Sequence, residues 1–352
     1  MPLRPAIERL HTSTWQGVFY IAGGGATLIS ELLAVAGASR SVLEASVPYS
    51  EQSLAELLGG VPDQAASIVT ARSMAMRAFQ RSVHLGAREP FGFACTASLA
   101  TNRSKRGAHR AHLAIQTEHD TYSADLALSG SREQEERTLT AFCVDFLQHA
   151  LDLAPVSVSE VTRAPAEPDW RELVRGVTRA VASRAHPAAL IFPGSFNPLH
   201  EGHRQMMLIG ERRSRQEGAF EISIENPDKP MLDYHAIRER VKQFDRPVWL
   251  TRLPTFLDKA RQFPDAAFIV GSDTLIRITD ARYYDSAPAR DRAIDEMIDL
   301  GTAFLVFGRA REGVFEPLHS LQLPQKLLEL CTEVPEADFR LDITSREIRT
   351  RR

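Results

Sequence analysis

Short apolar runs closed by glycine alternate along this chain with longer stretches of helical spacing, and the change of period recurs from end to end. In the first half, Val18 to Ala22 reads as a strand, Gly23-Gly24-Gly25 as a turn and Ala26 to Ala36 as a helix. A helix is expected from about Gln64 to Leu85 and strands near Phe91 to Thr96 and Ala111 to Thr117. The span Glu133 to Leu151 reads as an amphipathic helix with Leu139, Phe142, Cys143, Phe146, Leu147 and Ala150 on one face. In the second half Leu190, Ile191 and Phe192 read as a buried strand, Pro193 and Gly194 break it, and from Glu201 onward Met206, Met207 and Ile209 fall at helical spacing. Phe220 to Ile224 alternates with period two, Val248 to Thr251 is short and β-prone, and Ala266 to Val270 and Ala303 to Phe307 are continuous apolar runs. Such runs suit a sheet covered on both faces, so the pattern predicts an α/β fold whose C-terminal half is a doubly wound parallel sheet.

Between the halves, Val161 to Asp169, with Pro165 and Pro168, loses periodicity and reads as a connector. Trp170 to Ser183 reads as a helix with Trp170, Leu173, Val174 and Val177 on one face, belonging to either half. The expected layout is a domain over 1–160, a linker and connecting helix over 161–185, and a second domain over 186–352, with the boundary near residue 165. A length of 352 residues is enough for two cores.

A net charge of −3 gives no basic footprint, so nucleic acid is not an expected partner. The three cysteines, Cys95, Cys143 and Cys331, lie far apart, which suits a reducing, cytoplasmic setting and supplies no metal site. Arg4 and Arg9 followed by the apolar run from Gly17 to Ile29 and by Ala34-Val35-Ala36 can pass for a secretion signal. Glu31 inside the run favours a strand, a turn and a helix instead, and the run is too short and glycine-rich to cross a membrane, so no membrane partner is expected.

The chemistry concentrates in Ala188 to His203, AALIFPGSFNPLHEGH, where a strand hands over to a helix. In an open parallel sheet that junction is the carboxyl edge, where a helix start aims free N–H groups at a phosphate. Gly194 and Gly202 allow backbone to approach a ligand closely, and His200 and His203 can donate hydrogen bonds to phosphate oxygens. Residues Gly194 to His203 resemble the HxGH signature of the nucleotidyltransferase superfamily, and the Ser195-Phe196-Asn197-Pro198 wording is most similar to nicotinamide mononucleotide adenylyltransferases.

The resemblance continues downstream. Asp342-Ile343-Thr344-Ser345-Arg346-Glu347-Ile348-Arg349 is similar to the superfamily's Ile-Ser-Ser-Thr-x-x-Arg motif, with Arg346 where threonine is usual. Thr344 and Glu347 form a capping-box pattern, which would start a helix at Ser345 and Arg346. Lys229, in Asn226-Pro227-Asp228-Lys229-Pro230, falls where related enzymes place a lysine near the mononucleotide phosphate. Asp273, closing Phe268 to Asp273, is a candidate for ribose hydroxyls, Gly308 lies in a segment whose backbone reads adenine, and Tyr283 and Tyr284 occupy the region of an aromatic that stacks on the pyridine ring.

The resemblance implies adenylyl transfer: a mononucleotide phosphate attacks the α-phosphorus of ATP and pyrophosphate leaves. The phosphate is already anionic, so the protein must align the reactants and stabilise charge. On this view His200, His203 and Arg349 are catalytic, and Gly194, Ser195, Phe196, Gly202, Asp273, Gly308, Ser345 and Arg346 hold ATP. Asn197, Lys229, Tyr283 and Tyr284 would bind a nicotinamide or nicotinate mononucleotide. Mg²⁺ would be held mainly by ATP, with no protein metal site. Phosphopantetheine or a phosphorylated alcohol as acceptor, and a catalytically dead pyridine-nucleotide-binding regulator, are the alternatives.

From about Trp15 to Leu151 the order of elements, with Gly24-Gly25, Ala36-Gly37-Ala38-Ser39 and Val47-Pro48-Tyr49-Ser50, resembles the C-terminal domain family of CinA, the nicotinamide-nucleotide amidohydrolases. The family's nucleophilic serine is matched by Ile21, its activating lysine by Leu54, and its Gly-Ile-Ala-Gly-Pro loop by Cys95 to Thr101. Isoleucine has no hydroxyl to attack an amide, so this half is expected to keep the fold without the chemistry. Ser98, Thr101 and Asn102 form no catalytic set, and Arg103, Lys105, Arg106 and Arg110 read as a solvated basic loop; a homo-oligomeric or supporting role is expected.

Overall fold

The computed structural model describes residues 3–101, 107–226, 229–311 and 314–340. The chain divides into two compact units, Met1–Arg171 with Asp228–Ile237, and Glu172–Pro227 with Arg238–Arg352.

The N-terminal unit contains α1 (Leu3–Thr12), β1 (Trp15–Ala22), α2 (Thr27–Ala34), β2 (Val42–Ser46), α3 (Glu51–Leu58), α4 (Ile68–His84), β3 (Glu89–Ser98), β4 (Arg110–Thr117), β5 (Asp120–Ala127), α5 (Arg132–Ala150) and β6 (Thr162–Pro165). Its six strands run in the order β2-β1-β3-β4-β5-β6, parallel across β2, β1 and β3 and antiparallel from there on. Alternation along β1 sorts its residues between two cores. Phe19 and Ile21 pack with α1, α2 and α5 through Leu10, Leu32 and Phe146, while Val18 and Tyr20 pack with α3 and α4 through Leu54 and Met74. Ala71, Ala75 and Ala78 bring α4 close to β3.

Two expectations need correction. Thr162–Pro165, expected as connector, is the edge strand β6; Pro165 removes one donor, which an edge strand tolerates because one side of its ladder is unpaired. The expected domain boundaries also shift. The unit extends to Arg171 and takes in 229–237, because Tyr234 is fully buried there, donating its N–H to Thr121 Oγ1 at 3.1 Å and its hydroxyl to the Glu118 carbonyl at 2.7 Å. Asp233 beside it pairs with Arg72 at 3.4 Å.

Past the N-terminal unit the chain continues through α6 (Pro168–Arg175), β7 (Ala180–Ala182), β8 (Leu190–Pro193), α7 (Glu201–Ser214), β9 (Gly218–Ser223), α8 (Tyr234–Val241), β10 (Val248–Thr251), α9 (Phe256–Gln262), β11 (Ala267–Gly271) and α10 (Ser272–Ile278). It ends with α11 (Ala287–Asp299), β12 (Ala303–Phe307), β13 (Arg309–Arg311), β14 (Val314–Glu316), α12 (Gln325–Glu329) and β15 (Cys331–Val334). The expected helix from Trp170 to Ser183 stops at Arg175, since Gly176 turns left-handed at φ 76° and Val177 is exposed; 180–182 becomes β7.

The C-terminal sheet runs β15-β12-β11-β8-β9-β10-β7 and is parallel except for β7 at its edge. This is the expected doubly wound sheet. Gly210 of α7 lies against Leu190 and Ile269, while Ile191 packs with Ala260 of α9 and Ile294 of α11. Successive β8 side chains point to opposite faces, so α7 covers one face and α9 and α11 the other. Among the described residues no helix is long and apolar enough to cross a membrane.

Gly92 in β3 is set by the close approach of α4, since a Cβ there would lie 2.1 Å from the Ala75 carbonyl oxygen and 2.2 Å from the Phe79 nitrogen. Both are backbone atoms of a buried helix and cannot give way without moving it. Gly92→Ala is expected to destabilise the N-terminal unit by about 3 kcal/mol or more, read as a lower denaturant midpoint.

Candidate functional site

The site starts where β8 ends. Pro193 is in register with Glu221 of β9, and the Gly194 N–H donates to the Glu221 carbonyl at 2.9 Å. The chain then turns through Phe196, at φ 42°, whose ring goes inward. It meets Phe192, Phe220, Phe244 and His203 edge-on, with centroids 5.3, 5.1, 5.4 and 5.0 Å away. Phe196 was expected to touch ATP; it is instead 2% exposed and belongs to the core beneath the histidines. Gly194 has the matching reason, since a Cβ there would lie 2.6 Å from the Phe196 ring. Gln243, which no sequence motif flags, pins the loop by accepting the Leu199 N–H at 2.9 Å and donating to the Phe196 carbonyl at 3.1 Å.

His200 is the N-cap residue of α7 and His203 lies in its first turn. Their rings stack, with centroids 3.6 Å apart and planes at 22°. Burial lowers the pKa of His200, and burial followed by the neighbouring His200 lowers that of His203 to about 3. Both rings are therefore neutral near pH 7. The backbone N–H of His200 donates to His203 Nδ1 at 3.3 Å, which places the His203 proton on Nε2 and makes Nε2–H a donor. His203 thus caps the N–H of His200, while the N–H groups of Glu201 and Gly202 carry no partner among the described residues. A helix of 14 residues thus presents two open N–H groups at its positive end beside two imidazoles, an arrangement suited to an anion.

The strand order fixes where that end lies. Counted in the direction of the chain, β8, β9 and β10 spread one way and β11, β12 and β15 the other, so the order reverses between β8 and β11. Ligands of doubly wound sheets bind outside the carboxyl ends at such a reversal. Two polar atoms without hydrogen-bond partners occur at its two lips, His200 Nδ1 after β8 and Ser272 Oγ after β11, the latter in a residue 2% exposed. Half-buried Asp273 follows in the first turn of α10.

Of the other expected site residues, Ser195 and Asn197 are exposed on the β8 loop and Gly202 is buried in α7. Gly308, half-buried after β12, faces the Phe315 ring, which a Cβ would meet at 2.2 Å. Lys229 is exposed within the segment that packs with the N-terminal unit. Tyr283 and Tyr284 line a cavity of about 320 Å³ with residues of α9 and α11. Ser345, Arg346 and Arg349 lie outside the described residues. Among the described residues, no group of three or more His, Cys, Asp or Glu side chains is placed to hold a metal ion.

The N-terminal unit has the same local order, strand, glycine turn, helix, with a different outcome. Ile21 and Leu54, at the positions matched to a serine and a lysine, are both buried in the core. The Glu136 carboxylate of α5 accepts the Gly25 and Thr27 N–H groups at 2.9 and 3.0 Å, so an internal anion fills the start of α2. Its neighbour Glu135, fully buried, accepts the Ala100 N–H at 2.7 Å and meets His109 Nδ1 at 2.6 Å.

No family model matches the chain, nor does any curated protein sequence. Among solved structures, the competence/damage-inducible protein CihA of Agrobacterium tumefaciens is similar over 43% of this chain and 94% of its own, at 19% identity and a TM-score of 0.37. Competence damage-inducible protein A of Klebsiella pneumoniae is similar over 43% of this chain and 95% of its own, at 17% identity and 0.37. A CinA superfamily protein of Escherichia coli covers 43% of this chain and 87% of its own, at 19% identity and 0.33.

Because the folded pKa of His203 is about 3, below its unfolded value, the unfolded chain binds the extra proton first as pH falls. The stability that this neutral ring contributes is therefore complete above about pH 6.5 and declines as pH drops toward 3. By NMR the His203 ring signals are expected to stay at their neutral positions from pH 8 down to about 4, where an ordinary histidine has titrated fully.

Proposed function

We propose that the C-terminal unit is a nucleotidyltransferase that moves AMP from ATP onto a pyridine mononucleotide, nicotinamide or nicotinate, with release of pyrophosphate. The observation that carries this is the pair of open N–H groups of Glu201 and Gly202 at the start of α7, beside stacked neutral His200 and His203, at the reversal of strand order between β8 and β11. His203 Nε2–H donates to an oxygen of the α-phosphate or of the bridge to the leaving pyrophosphate, and the Glu201 and Gly202 N–H groups receive the charge that grows there. His200 is assigned to the same phosphates. Neutral imidazoles add no fixed charge to bind ATP in its ground state, and their donors gain strength as the leaving oxygen becomes more anionic. Asp273 is assigned to ribose hydroxyls.

Ser345, Arg346 and Arg349, which lie outside the described residues, are assigned from the sequence motif alone to the β- and γ-phosphates. Mg²⁺ accompanies ATP and is held by its phosphates. The N-terminal unit is assigned no amide hydrolysis. Ile21 offers no hydroxyl at the position matched to the serine, and the Glu136 carboxylate occupies the backbone donors of the adjoining glycine turn.

The test is pyrophosphate release by the full chain with Mg-ATP and, in turn, nicotinamide mononucleotide, nicotinate mononucleotide and phosphopantetheine. A pyridine mononucleotide is expected to give turnover that His203→Ala lowers by about a hundredfold or more, as for loss of a donor to developing charge. Turnover with phosphopantetheine alone reassigns the acceptor; no turnover with any acceptor overturns the proposal.

A further inference from the structure

The cavity of about 320 Å³ beside Tyr283 and Tyr284 is a second place in the C-terminal unit that can hold a small molecule. It is separate from the histidine crevice on two grounds. Its walls come from α9, α11 and the segment Tyr283 to Asp285 that leads into α11, and both helices cover the face of the sheet opposite α7. Both helices run from the carboxyl edge back to the amino edge, and the cavity reaches Arg261 in the last turn of α9 and Glu296 in the last turn of α11. It therefore extends away from the edge that carries His200.

The lining selects a chemistry. The Tyr284 hydroxyl donates to the Ile278 carbonyl at 2.8 Å and the Tyr283 hydroxyl accepts from Arg277 at 3.2 Å, so the pair offers a ligand ring surface and the Tyr283 O–H. Leu257 and Ala293 add apolar wall. The Tyr283 ring already has the Arg277 and Arg282 guanidinium groups within 5.7 and 5.8 Å of its centroid, so it has little attraction left for a third cation. Arg261 and Glu296 neutralise each other through two hydrogen bonds of 2.6 and 2.8 Å. That leaves Arg292 and Asp285, which form no ion pair with any described residue and both border the cavity.

We propose that this cavity binds a zwitterionic aromatic molecule of the aromatic α-amino acid class. Its ring lies on the tyrosine pair, its carboxylate on Arg292 and its ammonium group on Asp285. An unpaired cation and an unpaired anion beside an aromatic wall match a ligand that carries both charges next to a ring, whereas a simple anion or cation leaves one side chain unanswered.

The experiment is calorimetric titration of the full chain with three probes of one shape, L-phenylalanine, 3-phenylpropanoate and 2-phenylethylamine. L-phenylalanine is expected to bind saturably, about tenfold or more tighter than either probe that lacks one charge. Arg292→Leu should abolish its advantage over the amine, and Asp285→Asn its advantage over the acid. Both side chains are exposed, so neither change threatens the fold, and pyrophosphate release plays no part in the readout. No saturable binding by any probe, equal binding of all three, or binding indifferent to both substitutions overturns the proposal. Binding of 3-phenylpropanoate as tight as L-phenylalanine overturns the zwitterion and leaves a site for aromatic anions.

Discussion

One ring, that of Phe196, decides the geometry of the candidate site. It sits at a positive φ, is almost fully buried, and meets Phe192, Phe220, Phe244 and His203 edge-on. Everything that distinguishes the histidine pair follows from it. The ring takes the place of water under His203, so desolvation holds that imidazole neutral; neutrality lets His200 stack on it at 3.6 Å without repulsion, and stacking fixes both rings at the head of α7. Gly194 makes room for the ring, and Gln243 ties the loop down on both sides of it. A site held this way loses little entropy when an anion arrives.

The two units use one local pattern for opposite ends. In each, a strand runs into glycine and a helix begins, leaving N–H groups without helical partners. In the N-terminal unit Glu136 reaches across from α5 and satisfies them with a carboxylate, and the position before the turn is held by the buried Ile21. In the C-terminal unit the N–H groups of Glu201 and Gly202 meet no described side chain, and two imidazoles stand at the opening. An anion placed at the first helix start would compete with a covalently tethered one at very high effective concentration; at the second it would compete only with water. The difference lies in one acidic residue, 111 positions along the chain from Gly25.

That distance explains much of what could and could not be read from the chain. The doubly wound sheet was legible because its strands are apolar runs and its helices keep a 3.6 period, and the His-rich junction because glycine, proline and histidine fall together over ten residues. Glu136 was not legible, since a glutamate near the start of an amphipathic helix has the same local pattern whether it meets solvent or a distant glycine turn. Strand β6 was hidden for a related reason: only Ala164 of its four residues is buried, so an edge strand with a proline has the composition of a connector. Phe196 misled in the other direction. Within the motif it stands among ligand-binding words, and only the backbone turn at φ 42° shows its side chain entering the core.

The carboxyl edge also carries a buried ion pair that ties the crevice to the helix layer behind it. Lys259 of α9 donates to Glu221 at 2.8 Å and to the Leu253 carbonyl at 2.7 Å, and Thr251 donates to the same carboxylate. Such a pair adds little net stability, because desolvating both charges offsets most of their attraction, but losing either partner strands the other. Its value here is positional. Glu221 offers its side chain to α9 and its backbone carbonyl to Gly194, so the turn that seats Phe196 and the helix on the opposite face are fastened to the same residue of β9. A shift of α9 along the sheet would have to break that pair, which keeps the end of β8, and with it the histidines, in register with the rest of the edge.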